Sequence, residues 1–177
     1  MRAIGRTRTG TTCSRPTRAR RRRASRYSTN ARRGSTRPSG RARAWRRARA
    51  GVGQAYLGAY HDADGAWLDG GKQYTLHVPP NPPAKQFWSL TVYDTHTRGL
   101  VDNAQQVADK SSRTPDLARN ADGSVDLYMG PTAPPGKEKN WIPTIPGKAW
   151  FAYFRLYAPT EAYLDASWKL PDIARVK

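Results

Sequence analysis

The sequence predicts an all-β domain, an antiparallel β-sandwich or jelly roll, preceded by an arginine-rich segment. Three observations carry this expectation. Residues 149–159 read AWFAYFRLYAP, the most strand-like run in the chain. Other short alternating runs are separated by Gly, Pro, Asn and Asp turn signals at close spacing. No segment keeps up a helical period.

In the run 149–159, alternation places Trp150, Ala152, Phe154 and Leu156 on one face. Phe151, Tyr153, Arg155 and Tyr157 take the other. A strand apolar on both faces is expected at the centre of a sheet, covered on both sides. Arg155 is the exception, a permanent cation among rings, and such a charge needs a carboxylate, a ring face or water.

Taken in order, residues 1–50 hold eighteen arginines, no lysine and no acid, with no apolar period. The rest of the chain holds 13 basic and 13 acidic side chains, so the net charge of +18 belongs to the segment and not to the body. A segment of this composition cannot bury enough apolar surface to offset its ordering entropy and is expected to be disordered. Three readings of it stand: an arm that binds nucleic acid or another polyanion, an inert solvated tail, or a frame that is not natural coding sequence. Arginine without lysine or acid, as a GC-rich frame read out of register would give, favours the last. Arg32-Arg33 and Arg46-Arg47 are not followed by an apolar stretch, so neither reads as a twin-arginine signal. No signal peptide and no run long enough to span a membrane is visible. Cys13 is the only cysteine, which excludes an intrachain disulfide and a cysteine-based zinc site.

From residue 51 the composition changes, and the remaining length suits one domain with a modest core. Residues 54–60 read as a strand, and residues 61–65 (HDADG) as a turn with Gly65 at positive φ. Asp62, Asp64 and Asp69 give this stretch some look of a calcium loop. It lacks the further ligands and terminal Glu of an EF-hand, so a plain hairpin turn is preferred. Residues 73–78 alternate Tyr74, Leu76 and Val78 against Thr75 and His77, and PPNPP at 79–83 ends the strand. Residues 86–94 alternate Trp88, Leu90 and Val92 against Phe87, Ser89, Thr91 and Tyr93. Residues 102–121 read as polar and irregular, with one helical turn near 115–118. NADG at 120–123 is a turn leading into 124–129, where Val125, Leu127 and Met129 point inward and Asp126 and Tyr128 outward. Residues 130–145 form a Pro-rich loop, Thr160 is placed to cap a helical turn at 161–165, and WKLP at 168–171 closes the domain.

Several of these motifs carry a resemblance: YTLHVPPNPP at 74–83, AKQFWSLTVYDTHTR at 84–98, ADGSVDLYMGP at 121–131, Asn140-Trp141, GKAWFAYFRLYAP at 147–159 and SWKLP at 167–171. Together they make the body, 51–177, similar to the family known as domain of unknown function 1214. Most members join it to a preceding domain of unknown function 1254. The resemblance implies a jelly-roll domain, frequently exported or periplasmic and oligomeric, with no established activity and so no catalytic residue to carry over. It also implies that this chain lacks the first domain, and that a partner domain of the 1254 type, or a second copy of the chain, is the expected contact. Nucleic acid is expected as a partner only if the arginine-rich segment is genuine.

Chemistry is sparse. His61, His77 and His96 lack chelating spacing, and neither a nucleophile elbow nor a phosphate loop occurs, so no metal or cofactor is expected. One constellation stands out: Tyr93, Asp126, Tyr128, Tyr153, Arg155 and Tyr157 all lie opposite the apolar faces of their strands. If those strands are neighbours, Asp126 pairs with Arg155 inside a ring of tyrosines. That arrangement is either a pocket for a sugar or carboxylate or an ion pair buried beneath a partner domain; the latter is preferred. Two functions stay open, a non-catalytic module that packs on a partner domain and a hydrolase-like domain whose site is completed by one.

Overall fold

The computed structural model describes residues 50–176 together with the backbone of Ser28–Thr29. The expected disorder of 1–50 otherwise falls outside the described residues. Among the described residues, nine strands form two sheets. The strands are β1 (Ser28–Thr29), β2 (Gln54–Ala59), β3 (Tyr74–Val78), β4 (Ala84–Asp94), β5 (Asp109–Ser111), β6 (Val125–Gly130), β7 (Trp141–Pro143), β8 (Trp150–Pro159) and β9 (Ala174–Arg175). A five-stranded antiparallel sheet has the order β1-β2-β8-β4-β5. A four-stranded sheet has the order β7-β6-β3-β9, with β7 parallel to β6. This is the expected all-β sandwich, and it is consistent with a jelly roll.

The inward faces are those the alternation gave. Trp150, Ala152, Phe154 and Leu156 of β8 are buried, as are Trp88, Leu90 and Val92 of β4. The opposite sheet contributes Tyr74, Leu76, Val78, Val125, Leu127 and Met129, and all join one core cluster. Strand β8 is central, as expected, but among the described residues no further layer covers its second face. There Tyr153, Arg155 and Tyr157 are half-buried, covered by one another and by neighbouring rings.

Other expectations are corrected. The polar stretch 102–121 contains β5, and residues 115–118 hold a turn at 115–116 followed by irregular chain rather than a helix. The Pro-rich loop contains a 3-10 turn at Glu138–Asn140 and then β7. The chain does not close at 168–171, since β9 pairs with β3 beyond it. Thr160 does precede a helical turn, α1 (Glu161–Leu164), but its hydroxyl makes no capping bond. Asp94 instead organises its loop: its carboxylate accepts from the backbone N–H of His96 at 2.7 Å and of Thr97 at 3.0 Å. The Thr97 bond does most to hold the Asp94 carboxyl below its ordinary range; burial opposes it, and His96 and Lys148 reinforce it.

Gly58 deserves its place in β2 for a steric reason. A Cβ built there would meet Cε1 of the Tyr153 ring at 2.9 Å, which lies directly across the ladder. Gly58→Ala should therefore lower stability by about 1–3 kcal/mol, as overpacking does, despite the gain from a less flexible unfolded chain. A urea midpoint equal to or above that of the native chain would show that Tyr153 gives way freely.

Candidate functional site

The outer face of the five-stranded sheet is built from period-two positions on three adjacent long strands. Register sets them in rows: Tyr56, Arg155 and Ser89; Gly58, Tyr153 and Thr91; Gln54, Tyr157 and Phe87. Tyr93 stands beside Phe151 at the far end of β4. Rings at these positions pack on each other. Phe87 stacks on Tyr157 at 3.9 Å between centroids, and Phe151 lies between Tyr60 at 4.8 Å and Tyr93 at 5.2 Å. Tyr153 meets Tyr56 and Tyr93 edge-on at 6.1 and 5.7 Å. Such contacts are favourable geometries for quadrupolar rings. The Tyr60 and Tyr153 hydroxyls share a hydrogen bond of 3.3 Å. That bond and then burial push the Tyr153 phenol above its ordinary pKa.

Three guanidinium groups lie on these rings. Arg113 sits 4.1 Å above Phe87 and Arg98 5.4 Å from Phe151. Arg155 is 5.5 Å from the Tyr56 ring and 5.8 Å from the Tyr93 ring. Its Nη2 donates to the Tyr93 hydroxyl. Its Nε is enclosed and has no acceptor among the described residues.

The expected pairing of Arg155 with Asp126 does not form. β8 and β6 belong to different sheets, and the two side chains point outward from opposite sides of the sandwich. The six residues of the constellation therefore divide. Tyr93, Tyr153, Arg155 and Tyr157 share the aromatic face. Asp126 and Tyr128 lie on the outer face of the four-stranded sheet. There Asp126 contacts His77 Nδ1 at 2.6 Å, its partner across the ladder, and accepts from Asn120 Nδ2 at 2.9 Å. Burial works to raise the Asp126 carboxyl, but the Asn120 bond and His77 outweigh it and hold the pKa below the ordinary value. Lys137 lies 5.9 Å from the Tyr128 ring, beside a cavity of about 70 Å³ lined by Asn120, Asp126, Tyr128 and Asn140.

Alternation placed Phe87 and Phe151 on these faces but the candidate site left them out, and Tyr56, Tyr60, Arg98 and Arg113 were missed as members of the aromatic face. Tyr56 and Tyr60 were readable from the alternation of β2, once β2 was known to adjoin β8. Arg98 and Arg113 come from loops and gave no periodic signal.

The three histidines do not converge, and among the described residues no group of three His, Cys, Asp or Glu side chains is placed to hold a metal. The acidic turn is closed by its own backbone, because the Asp62 carboxylate accepts from the N–H of Asp64 and of Ala66 at 3.0 and 2.9 Å. Gly65 has the expected positive φ, +90°. An open groove of about 470 Å³ runs beside exposed Trp67 and is flanked by Lys72 and Lys148, each paired to an aspartate. No helix among the described residues is long and apolar enough to cross a membrane.

Residues 53–161 match the model of a family described as protein of unknown function (DUF1214). No curated protein matches the chain. Among solved structures, the chain is similar to the VPA0106 protein from Vibrio parahaemolyticus, with 26% identity and a TM-score of 0.62. The likeness covers 71% of this chain and 31% of that one. An uncharacterised protein from Burkholderia cenocepacia matches at 16% identity and a TM-score of 0.51, over 70% of this chain and 30% of that one, which shows a shared fold. The chain thus spans about a third of the length of either structure.

Proposed function

Starting from the fact that this chain belongs to the DUF1214 family, we propose that its domain is a binding module without a catalytic centre of its own, which packs its aromatic face onto a partner domain. The observation that carries this is the face itself. Among the described residues, seven rings and three guanidinium groups crowd the outer side of the five-stranded sheet, with no further layer over them. Tyrosine, phenylalanine and arginine are the side chains enriched at the centres of protein interfaces. The outer face of the four-stranded sheet is more polar, with Thr75 opposite Tyr128 and His77 opposite Asp126. The length of the Vibrio protein supports the reading, since about two thirds of that chain lies outside the match and is available to cover such a face.

Superposition on the Vibrio crystal structure tests this. The unmatched part of that chain, or a second copy of it, is expected over the positions of Tyr56, Tyr153, Arg155 and Tyr157. A bare aromatic face, with the remaining chain packed elsewhere, would refute the proposal. Cover by a second copy would replace the partner domain with a homo-oligomer.

A further inference from the structure

We infer that Arg155 is the anchor for a carboxylate side chain, an aspartate or glutamate carried by the partner domain, which enters between Tyr56 and Tyr93. This rests on the docking reading above and adds the chemistry of the contact.

A guanidinium has five N–H donors in one plane and no acceptor. At Arg155 one donor is used, on the Tyr93 hydroxyl. The flanking rings of Tyr56 and Tyr93 attract the cation, but a ring beside the guanidinium does not replace hydrogen-bond acceptors in its plane. The enclosed Nε has none among the described residues. The ion pairs of Asp69, Asp94 and Asp126 are with Lys72, Lys148 and His77, and among the described residues no acid forms an ion pair with Arg155. Asp109, the acid of β5, stands in the row of Tyr153 and Thr91, one row away from Arg155 and Ser89. Arg98 and Arg113 add positive charge to the same face, over Phe151 and Phe87.

A half-buried cation with an unfilled donor is costly to leave unpaired once a partner excludes water. Its complement is a planar anion that accepts two parallel bonds from the Nη end of the guanidinium, which describes a carboxylate. A flat group also suits a slot with an aromatic ring on either side. A phosphate can accept the same two bonds, but it is tetrahedral and fits a flat slot less well. The body outside residues 1–50 is balanced in charge, and a phosphate backbone calls for a basic stripe instead.

The test uses the whole chain labelled with nitrogen-15 and follows the Arg155 Nε–Hε resonance, assigned through its bonds to the side chain. Acetate, acetamide and inorganic phosphate are titrated separately against chloride at constant ionic strength. Acetate is expected to shift the resonance saturably and acetamide to leave it in place, with phosphate giving the weaker response of the two anions. Arg155→Lys, checked for folding by its backbone spectrum, should abolish the acetate effect on neighbouring Tyr56 and Tyr93 signals. The inference is overturned if acetate acts no differently from chloride, or if phosphate binds more tightly than acetate. The two readings fail separately. A covered face in the Vibrio protein with no acetate response sinks only the carboxylate anchor. An acetate response with a bare face there sinks the partner domain and leaves Arg155 as a site for a free carboxylate.

Discussion

Phe154→Ala is expected to cost about 3–5 kcal/mol, the range for a buried aromatic truncated to leave a cavity. Phe154 is 0% exposed and lies at the middle of β8, where its ladder neighbours are Leu57 and Leu90. Its ring stacks on Trp88 at 5.3 Å and on Trp168 at 6.2 Å. Those two indoles are held by different parts of the chain, β4 and the segment after α1. Neither is free to collapse into the space, so relaxation should be poor. Phe154→Leu should recover most of the loss, because it refills much of the volume with apolar atoms. Denaturant unfolding followed by tryptophan fluorescence measures both. A midpoint unmoved by Phe154→Ala would mean that the core does not lie between these sheets.

Asn140→Ala should be the second most damaging single change considered, at roughly 2–3 kcal/mol, through polar groups left without partners. Asn140 is a buried amide whose every group is assigned. Its Oδ1 accepts from Ala118 N–H at 2.8 Å, and its Nδ2 donates to the carbonyls of Ala118 and Asp126 at 2.8 and 2.9 Å. It sits just before β7, so the amide extends the β6 ladder by one bond where β7 has not yet begun. It also ties the loop 112–120 to the sheet. The near-isosteric Asn140→Asp should be at least as harmful, since it turns two donor contacts into repulsion between a carboxylate and two carbonyls. Thermal unfolding of the two variants decides: an aspartate variant more stable than the alanine variant would show that volume, not hydrogen bonding, is what the site requires.

How much of this could be read beforehand depended on range along the chain. Inward positions of β3, β4, β6 and β8 followed from alternation because each strand is long enough to show its own period. Strands β5, β7 and β9 have three, three and two residues. Such pieces are extended because a neighbour offers backbone partners, and no local pattern announces that. The site failed at the same point. Alternation correctly put Asp126 and Arg155 on outward faces, but nothing in either strand says which sheet it joins, and outward means opposite directions in the two sheets. His77 was the missed partner of Asp126, readable only once β3 and β6 were known to pair.

The position of β8 between β2 and β4 has a consequence for how the chain is made. Gln54 finds its partner in Tyr157, and Ala84 in Pro159. A ribosome delivers β2 and β4 long before the strand that separates them, so neither can complete its ladder until residue 159 has left the exit tunnel. Closing loops of that length is entropically slow, and sheets dominated by distant pairings fold in roughly milliseconds to seconds. Until then two long apolar strands wait with open edges, the condition in which nascent chains aggregate or recruit chaperones. Folding of this domain therefore waits on residue 159, and a stall or stop just before residue 150 should yield insoluble chain rather than a smaller sheet.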